Sequence, residues 1–287
     1  MPKTAYHLIH PDQRSTSVVF ASPHSGRDYP AWFLQRTRLD ARAVRSSEDA
    51  FVDQLFAAAP RMGAPLLQAG APRAFVDLNR APDELDPALI EGVRQAGHNP
   101  RVSSGLGVIP RVVANGRAIY SGKLSRAEAE NRIETYWRPY HAALGHQMDQ
   151  AHALFGQAIL IDCHSMPHEA MDSVARTGAK RPQVVLGDRF GASASSAVVE
   201  RIETTFRAAG LTVARNTPFA GAYVTQQYGR PSRNRHAVQV EIDRALYMDE
   251  RRIEPNADFD AFKSLMTGVI AQIVEIGRPL EQPLAAE

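Results

Sequence analysis

Apolar residues along this chain come in two rhythms, and their alternation predicts the fold. Short unbroken runs stand at 18–20 in TSVVFASPHSG, at 158–161 in AILIDCHS and at 184–186 in RPQVVLGDR. Runs of this length, bounded by Pro, Gly or charge, suit strands buried on both faces. HAVQVEID at 236–243 alternates strictly, setting Val238, Val240 and Ile242 against Gln239, Glu241 and Asp243, and LTVARNT at 211–217 reads as one more strand. Helical spacing marks ADFDAFKSLMTGVIAQIVEIG at 257–277, the stretch near 191–209, and LSRAEAENRIETYW at 124–137, which opens with Ser125 and Glu128 in capping-box spacing. Pro139 is expected to break or restart that helix before YHAALGHQMDQAHALFG continues it.

Three regions are less regular. Residues 38–59 carry helix formers, with Phe51, Val52, Leu55 and Phe56 in one apolar stripe. APLLQAG at 64–70 and RAFVDLNR at 73–80 read as two short strands close enough to pair as a hairpin. The Pro-, Gly- and Asn-rich stretch 81–122 is long for an irregular connection, which points to a functional lid or to short strands within it. Strands alternating with helices imply an α/β sheet covered on both faces. No repeat, low-complexity tract or linker divides the chain, so residues 1–287 are expected to form a single domain.

Composition narrows the function classes. With 33 basic against 31 acidic residues the net charge is +2, and only GRPSRNRH at 229–236 is locally basic. Nucleic-acid binders show a basic face with interleaved aromatics, which is absent here, so no nucleic-acid partner is expected. The N-terminus lacks an apolar signal core and no run approaches a membrane span, so no membrane partner is expected either. The single cysteine, Cys163, excludes an intrachain disulfide framework and suits a reducing, cytoplasmic setting. Nothing in the sequence speaks to an oligomeric state.

Candidate chemistry gathers at strand ends. His24 follows the first buried strand in SPHSG and His164 follows another in DCHS, each preceding a serine. Two histidines at matched places fit metal ligation, since a catalytic zinc takes three protein ligands and leaves one position for water. No HExxH motif is present, and Arg27 stands three residues after His24. Glu48 or Asp49, in SSEDAFVD, could supply the third ligand, or could serve as favourable charge at a helix start. Asp162 lies two residues before His164, so in a strand both face the same way and the carboxylate can orient the imidazole. Cys163 faces the other way, which disfavours a Cys–His nucleophile pair. Glu241, flanked by apolar strand neighbours, should be desolvated, and its pKa should rise toward that of a general base. Asn79 and Arg80, with Arg73 upstream, are candidates for binding a carboxylate or polarising a carbonyl. GRAIYSGK fails as a phosphate loop and GASAS as a nucleophile elbow.

Together, SPHSGRDYP, SSEDAFVDQLF, RAFVDLNRAPDELDP, LIDCHSMP and GRPSRNRHAVQVEIDRALYMDE, in this order, resemble the N-formylglutamate amidohydrolase family over nearly the whole chain. DLNR also resembles the aspartoacylase and succinylglutamate desuccinylase group of the wider zinc carboxypeptidase-like superfamily. The resemblance implies a three-layer α/β/α domain with a mixed central sheet, of the zinc-dependent exopeptidase-like type, holding one Zn2+ or other divalent ion per chain. It implies His24, His164 and Asp49 as metal ligands (Glu48 as the alternative to Asp49) and Glu241 as the catalytic carboxylate. Asn79 and Arg80 match a substrate-carboxylate pair, while Arg73 is one residue off the spacing of a carbonyl-polarising arginine. Arg111, Arg215 and Arg230 are further candidates for carboxylate contacts. The activity implied is hydrolysis of N-formyl-L-glutamate, a small acidic N-acyl amino acid, to formate and L-glutamate, as in histidine degradation. The rivals are an amidohydrolase for another acyl group or peptide, and a non-catalytic binder of acidic ligands.

Overall fold

The apolar runs become the middle of a mixed sheet. In the computed structural model, which describes residues 1–94, 99–172 and 181–279, seven strands are β1 (Tyr6–Ile9), β2 (Val18–Ser22), β3 (Leu66–Ala69), β4 (Ala158–Met166), β5 (Val184–Gly187), β6 (Val213–Arg215) and β7 (Arg235–Asp243). Their spatial order is β1-β3-β2-β4-β7-β5-β6. The run from β3 through β2 and β4 to β7 is parallel, β1 is antiparallel on β3, and β5 is antiparallel on β7.

The helices are α1 (Ala31–Arg36), α2 (Val52–Leu55), α3 (Pro100–Ser103), α4 (Arg126–Arg132), α5 (Arg138–Phe155), α6 (Ser196–Ala208), α7 (Tyr223–Tyr228) and α8 (Phe259–Ile276). Strand alternation decides which of them covers which face. Val18, Phe20, Ile159, Ile161, Val238 and Val240 pack with Ile202, Met266 and Ile270 of α6 and α8. Val19, Ala21, Leu160 and Ala237 pack on the opposite face with Tyr140, Leu144 and Met148 of α5. The result is the expected three-layer α/β/α arrangement. Among the described residues, no helix is long and apolar enough to cross a membrane.

Four stretches need a closer description, and two of them, 38–59 and 73–80, correct the expectation. Residues 38–59 form no single helix. A 3-10 turn at Ala43–Ser47 gives way to extended backbone at Glu48, a left-handed Phe51 (φ 66°) and the single-turn α2. The apolar stripe is real, but Asp49 is drawn out of it by its backbone N–H, which donates to the His24 carbonyl at 3.0 Å. Residues 73–80 are not a strand: Phe75 and Val76 turn back to the Pro72 carbonyl, and β3 pairs instead with β1. The alternation in RAFVDLNR reflects a loop that buries Phe75, Val76 and Leu78. Pro139 does not break the helical path, but the α-helix restarts beside it, with Pro139 in the first turn of α5. A π-turn at Ile133–Trp137 joins α4 to α5, with Arg138 N–H bonded to the Ile133 carbonyl, which absorbs the missing proline donor. Within 81–122, residues 95–98 lie outside the described set, and the rest holds α3, a 3-10 turn at Ala114–Gly116 and isolated bridges such as Val112 with Ala118.

One buried cation ties the 73–80 loop to the helical layer. Arg132 has no solvent exposure and donates to the Phe75 carbonyl at 3.1 Å and the Tyr120 hydroxyl at 2.7 Å, while pairing with Glu128. Its guanidinium lies 4.1 Å from the Phe75 ring centroid. Replacing it by a neutral side chain of similar length strands these partners, so Arg132→Met should destabilise the fold by about 3 kcal/mol, read as a lowered urea midpoint at unchanged m-value.

Candidate metal centre and active site

At the C-terminal ends of β4 and β7 the face that packs on α5 changes character. Leu160 gives way to Asp162 and His164, and Ala237 to Gln239 and Glu241. The parallel register sets His164 beside Glu241. Chain segments after β2 and before α2 bring His24 and Asp49 to the same place, as does the loop after β3 with Asp77 and Asn79.

His24, Asp49 and His164 are buried, and one potential ligand atom from each lies within 4.8 Å of the others. Oδ2 of Asp49 is 3.3 Å from Nδ1 of His24 and 2.9 Å from Nδ1 of His164. Behind each imidazole stands a second carboxylate. Nε2 of His24 is 2.7 Å from Asp77, and Nε2 of His164 is 3.0 Å from Asp162, the latter an electrostatic contact rather than an aligned hydrogen bond. This is the carboxylate–histidine arrangement that leaves the other ring nitrogen free as a ligand. The fit to a cation is direct: Nδ1 of His24 is buried, has no hydrogen-bond partner among the described residues, and points at a carboxylate. Glu48, by contrast, turns away to a bidentate pair with Arg45. Asp49 is the acidic residue that meets the histidines.

The local field favours positive charge at this point. Burial opposes an imidazolium at His164, but Asp162 and Asp49 outweigh it and hold its pKa well above the usual histidine value. Burial alone would raise Asp49, yet hydrogen bonds from His164 and His24 hold it well below the usual carboxylate range. Asp77 is likewise held low, because the charges of His24, Arg73 and Arg80 overcome its burial. Glu241 behaves oppositely. Burial pushes it up to about 7, with Asp49 adding to the rise while His164, Arg73 and Arg244 oppose it, and Gln239 donates to its Oε1 at 2.8 Å. The expected desolvation of Glu241 is therefore present.

A cavity of about 600 Å³ opens over this cluster and reaches the 81–122 stretch. Among the expected residues, His24, Asp49, Arg73, Asn79, Arg80, His164 and Glu241 line it, whereas Arg111, Arg215 and Arg230 do not. Arg111 is paired with Asp86 at 2.7 Å, Arg215 with Glu203, and Arg230 donates to the carbonyls of Gln226 and Gly229. Arg73 pairs with Asp77 at 3.1 Å. Asn79 is enclosed: its amide lies 3.1 Å from Nε2 of His164 and its carbonyl oxygen accepts from Val224 N–H at 2.8 Å. Arg80 is pushed below the usual arginine value by burial.

Asp77 and Arg244 at the cluster, and Arg101 on the cavity wall, escaped the sequence reading. Asp77, two positions before Asn79 in DLNR, carried the same i, i+2 signal that singled out Asp162. Arg244 follows β7 on a 3-10 turn capped by Asp243, and its Nη2 donates to Asp49 at 3.1 Å and to the Glu48 carbonyl at 2.6 Å. Nothing short of the fold brings residue 244 to residue 49. Cys163 faces the other core, bonded to the Ile161 carbonyl at 3.3 Å, and burial raises its thiol well above the usual range.

Comparison with known proteins places the chain among relatives along most of its length. The model of the N-formylglutamate amidohydrolase family matches residues 16–248. An N-formylglutamate deformylase of Pseudomonas aeruginosa is 32% identical over 242 residues, 82% of this chain and 83% of that protein. One from Pseudomonas putida is 29% identical over 240 residues, covering 81% of this chain and 82% of its own length. The crystal structure of an N-formylglutamate amidohydrolase from Ralstonia eutropha JMP134 superposes with a TM-score of 0.88 at 36% identity, covering 95% of this chain and 98% of that one. With most of its length matched in sequence and in fold, the chain belongs to the N-formylglutamate amidohydrolase family.

Proposed function

We propose that this protein is a metal-dependent N-formylglutamate deformylase, hydrolysing N-formyl-L-glutamate to formate and L-glutamate. The observation that carries the reading is Glu241: a buried carboxyl raised to about 7, one strand from the His24–Asp49–His164 cluster and on the wall of the same cavity. The relatives named N-formylglutamate deformylase supply the substrate. Two imidazoles and one carboxylate are the donor set of a catalytic zinc, so one zinc per chain is the metal proposed. When bound, such an ion lowers the pKa of its water to about 7 and polarises the acyl oxygen.

The remaining steps fall to side chains. Glu241 takes the proton of the attacking water as its oxygen bonds to the formyl carbon. It then returns that proton to the amide nitrogen as the C–N bond breaks. Arg73, on the cavity wall beside Asp77, faces the negative charge that gathers on the formyl oxygen. Arg80 holds a substrate carboxylate. Asn79 was expected to share that contact, but its polar atoms are committed to His164, Asp162 and Val224, so its part is to orient the His164 imidazole. Arg111 and Arg230, held by Asp86 and by backbone carbonyls, are given no substrate contact in this reading. The ligand is a small dianionic acyl amino acid, and the single thiol, Cys163, suits a cytoplasmic setting.

Glu241→Gln should lower kcat for formate release by about 10²- to 10⁴-fold while metal content by mass spectrometry stays at wild-type level; near-normal turnover would remove Glu241 as the base. Chelation should abolish formate release and added zinc restore it, with His24→Ala and Asp49→Ala each losing the bound metal. Because the carboxylate form of Glu241 is the active one and burial raises its pKa, kcat/KM should be held at alkaline pH and fall as pH drops through the Glu241 titration near 7. A pH profile flat from 5 to 9 would contradict that role.

A further inference from the structure

The cavity carries four guanidinium groups, and two of them lack a carboxylate partner. Arg73 is matched by Asp77 and Arg244 by Asp49. Arg80 donates to backbone carbonyls, those of Leu106 and Asn79 at 2.9 Å each, and among the described residues has no carboxylate in direct contact. Arg101, in the single turn of α3, lines the cavity with a side chain that has no hydrogen-bond or ion-pair partner among the described residues. Its charge is felt by Arg80. Two unmatched cations side by side disfavour each other, and an anion placed between or across them relieves both.

The segment that presents Arg101 is braced. Leu106 links the pair: its N–H donates to the Arg101 carbonyl at 2.8 Å, and its own carbonyl accepts from Nε of Arg80. Asn99 caps α3 through its side chain. Arg111 reaches the Ser103 carbonyl at 3.3 Å while paired to Asp86, which gives this arginine a structural task one shell outside the cavity.

We infer that Arg101 is a specificity-determining residue that reads the side-chain carboxylate of the substrate while Arg80 holds its α-carboxylate. The inference rests on the deformylase reading of the cavity. The assignment follows from depth. Arg80 is buried and adjoins Asn79, which touches His164, so it sits near the reacting centre. The α-carboxylate shares a carbon with the scissile nitrogen and has to lie there. Arg101 lines the same cavity but is exposed, on the solvent side of Arg80, where a carboxylate two methylenes further from the scissile nitrogen can reach it. Guanidinium groups suit this task because they bind carboxylates bidentately.

The test pairs N-formyl-L-glutamate with N-formyl-L-glutamine, which has the same shape but an uncharged side chain. In Arg101→Ala, kcat/KM for the glutamate substrate should fall about 10- to 100-fold, with turnover of the glutamine substrate unchanged, so the preference collapses. Arg101→Lys should recover part of it. Equal losses on both substrates, or no loss on either, overturn the assignment. Calorimetric titration of the zinc-loaded proteins with L-glutamate and L-glutamine reads the same discrimination without turnover. Undiminished L-glutamate affinity in Arg101→Ala, or no L-glutamate binding by the wild type, also overturns it. If wild type releases no formate yet Arg101→Ala still loses L-glutamate selectively, the deformylase reading falls and the Arg101 assignment stands.

Discussion

The carboxylate of Asp49 is almost fully removed from water and touches two imidazoles and a guanidinium. An unpaired buried carboxylate costs several kcal/mol, so its partners have to be in place whenever the fold is. They come from three distant parts of the chain, at residues 24, 164 and 244. The two oxygens divide the work: Oδ1 accepts from Arg244, and Oδ2 faces the imidazoles. Asp77 and Asp162 stand behind those rings, leaving a point where negative potential converges and a cation fits. The same demand explains why residues 38–59 abandon a regular helix, since Asp49 has to leave the surface and enter the sheet end.

The second constraint is the adjacency of β4 and β7. Parallel pairing puts His164 and Glu241 side by side, and strand alternation puts both on the α5 face. The apolar residues earlier on that face, Leu160 and Ala237, seal the core beneath them. One surface therefore serves as core at one end and as reaction site at the other. Burial that stabilises the sheet also keeps water from Glu241 and raises its pKa, so folding and catalysis draw on the same desolvation.

Arginines show how one residue type divides by location. Arg132 is sealed inside the helical layer and holds the Phe75 loop; Arg73 and Arg244 neutralise site carboxylates; Arg111 braces α3; Arg80 and Arg101 remain unmatched on the cavity wall. Of the cavity arginines, these two have no carboxylate in direct contact among the described residues, whereas Arg73, in the proposed reaction, meets the substrate while paired to Asp77. No feature of the residue itself separates these roles. What separates them is whether a carboxylate lies within reach and whether the group lines the cavity.

The central strands, the helices at 191–209 and 257–277, and the strand-end positions of His24, Asp162, His164 and Glu241 were legible from sequence, because periodicity reports burial and strand-end polarity reports where burial stops. Recognition of the family motifs carried Asp49 over Glu48, a choice that side-chain type and position left open. The pairing of β3 with β1, the turn at 73–80, the roles of Asp77 and Arg244 and the exclusion of Arg111 and Arg230 were decided by tertiary structure. Each depends on contacts between residues far apart along the chain, and local pattern carries no information about which distant carboxylate a given arginine will meet.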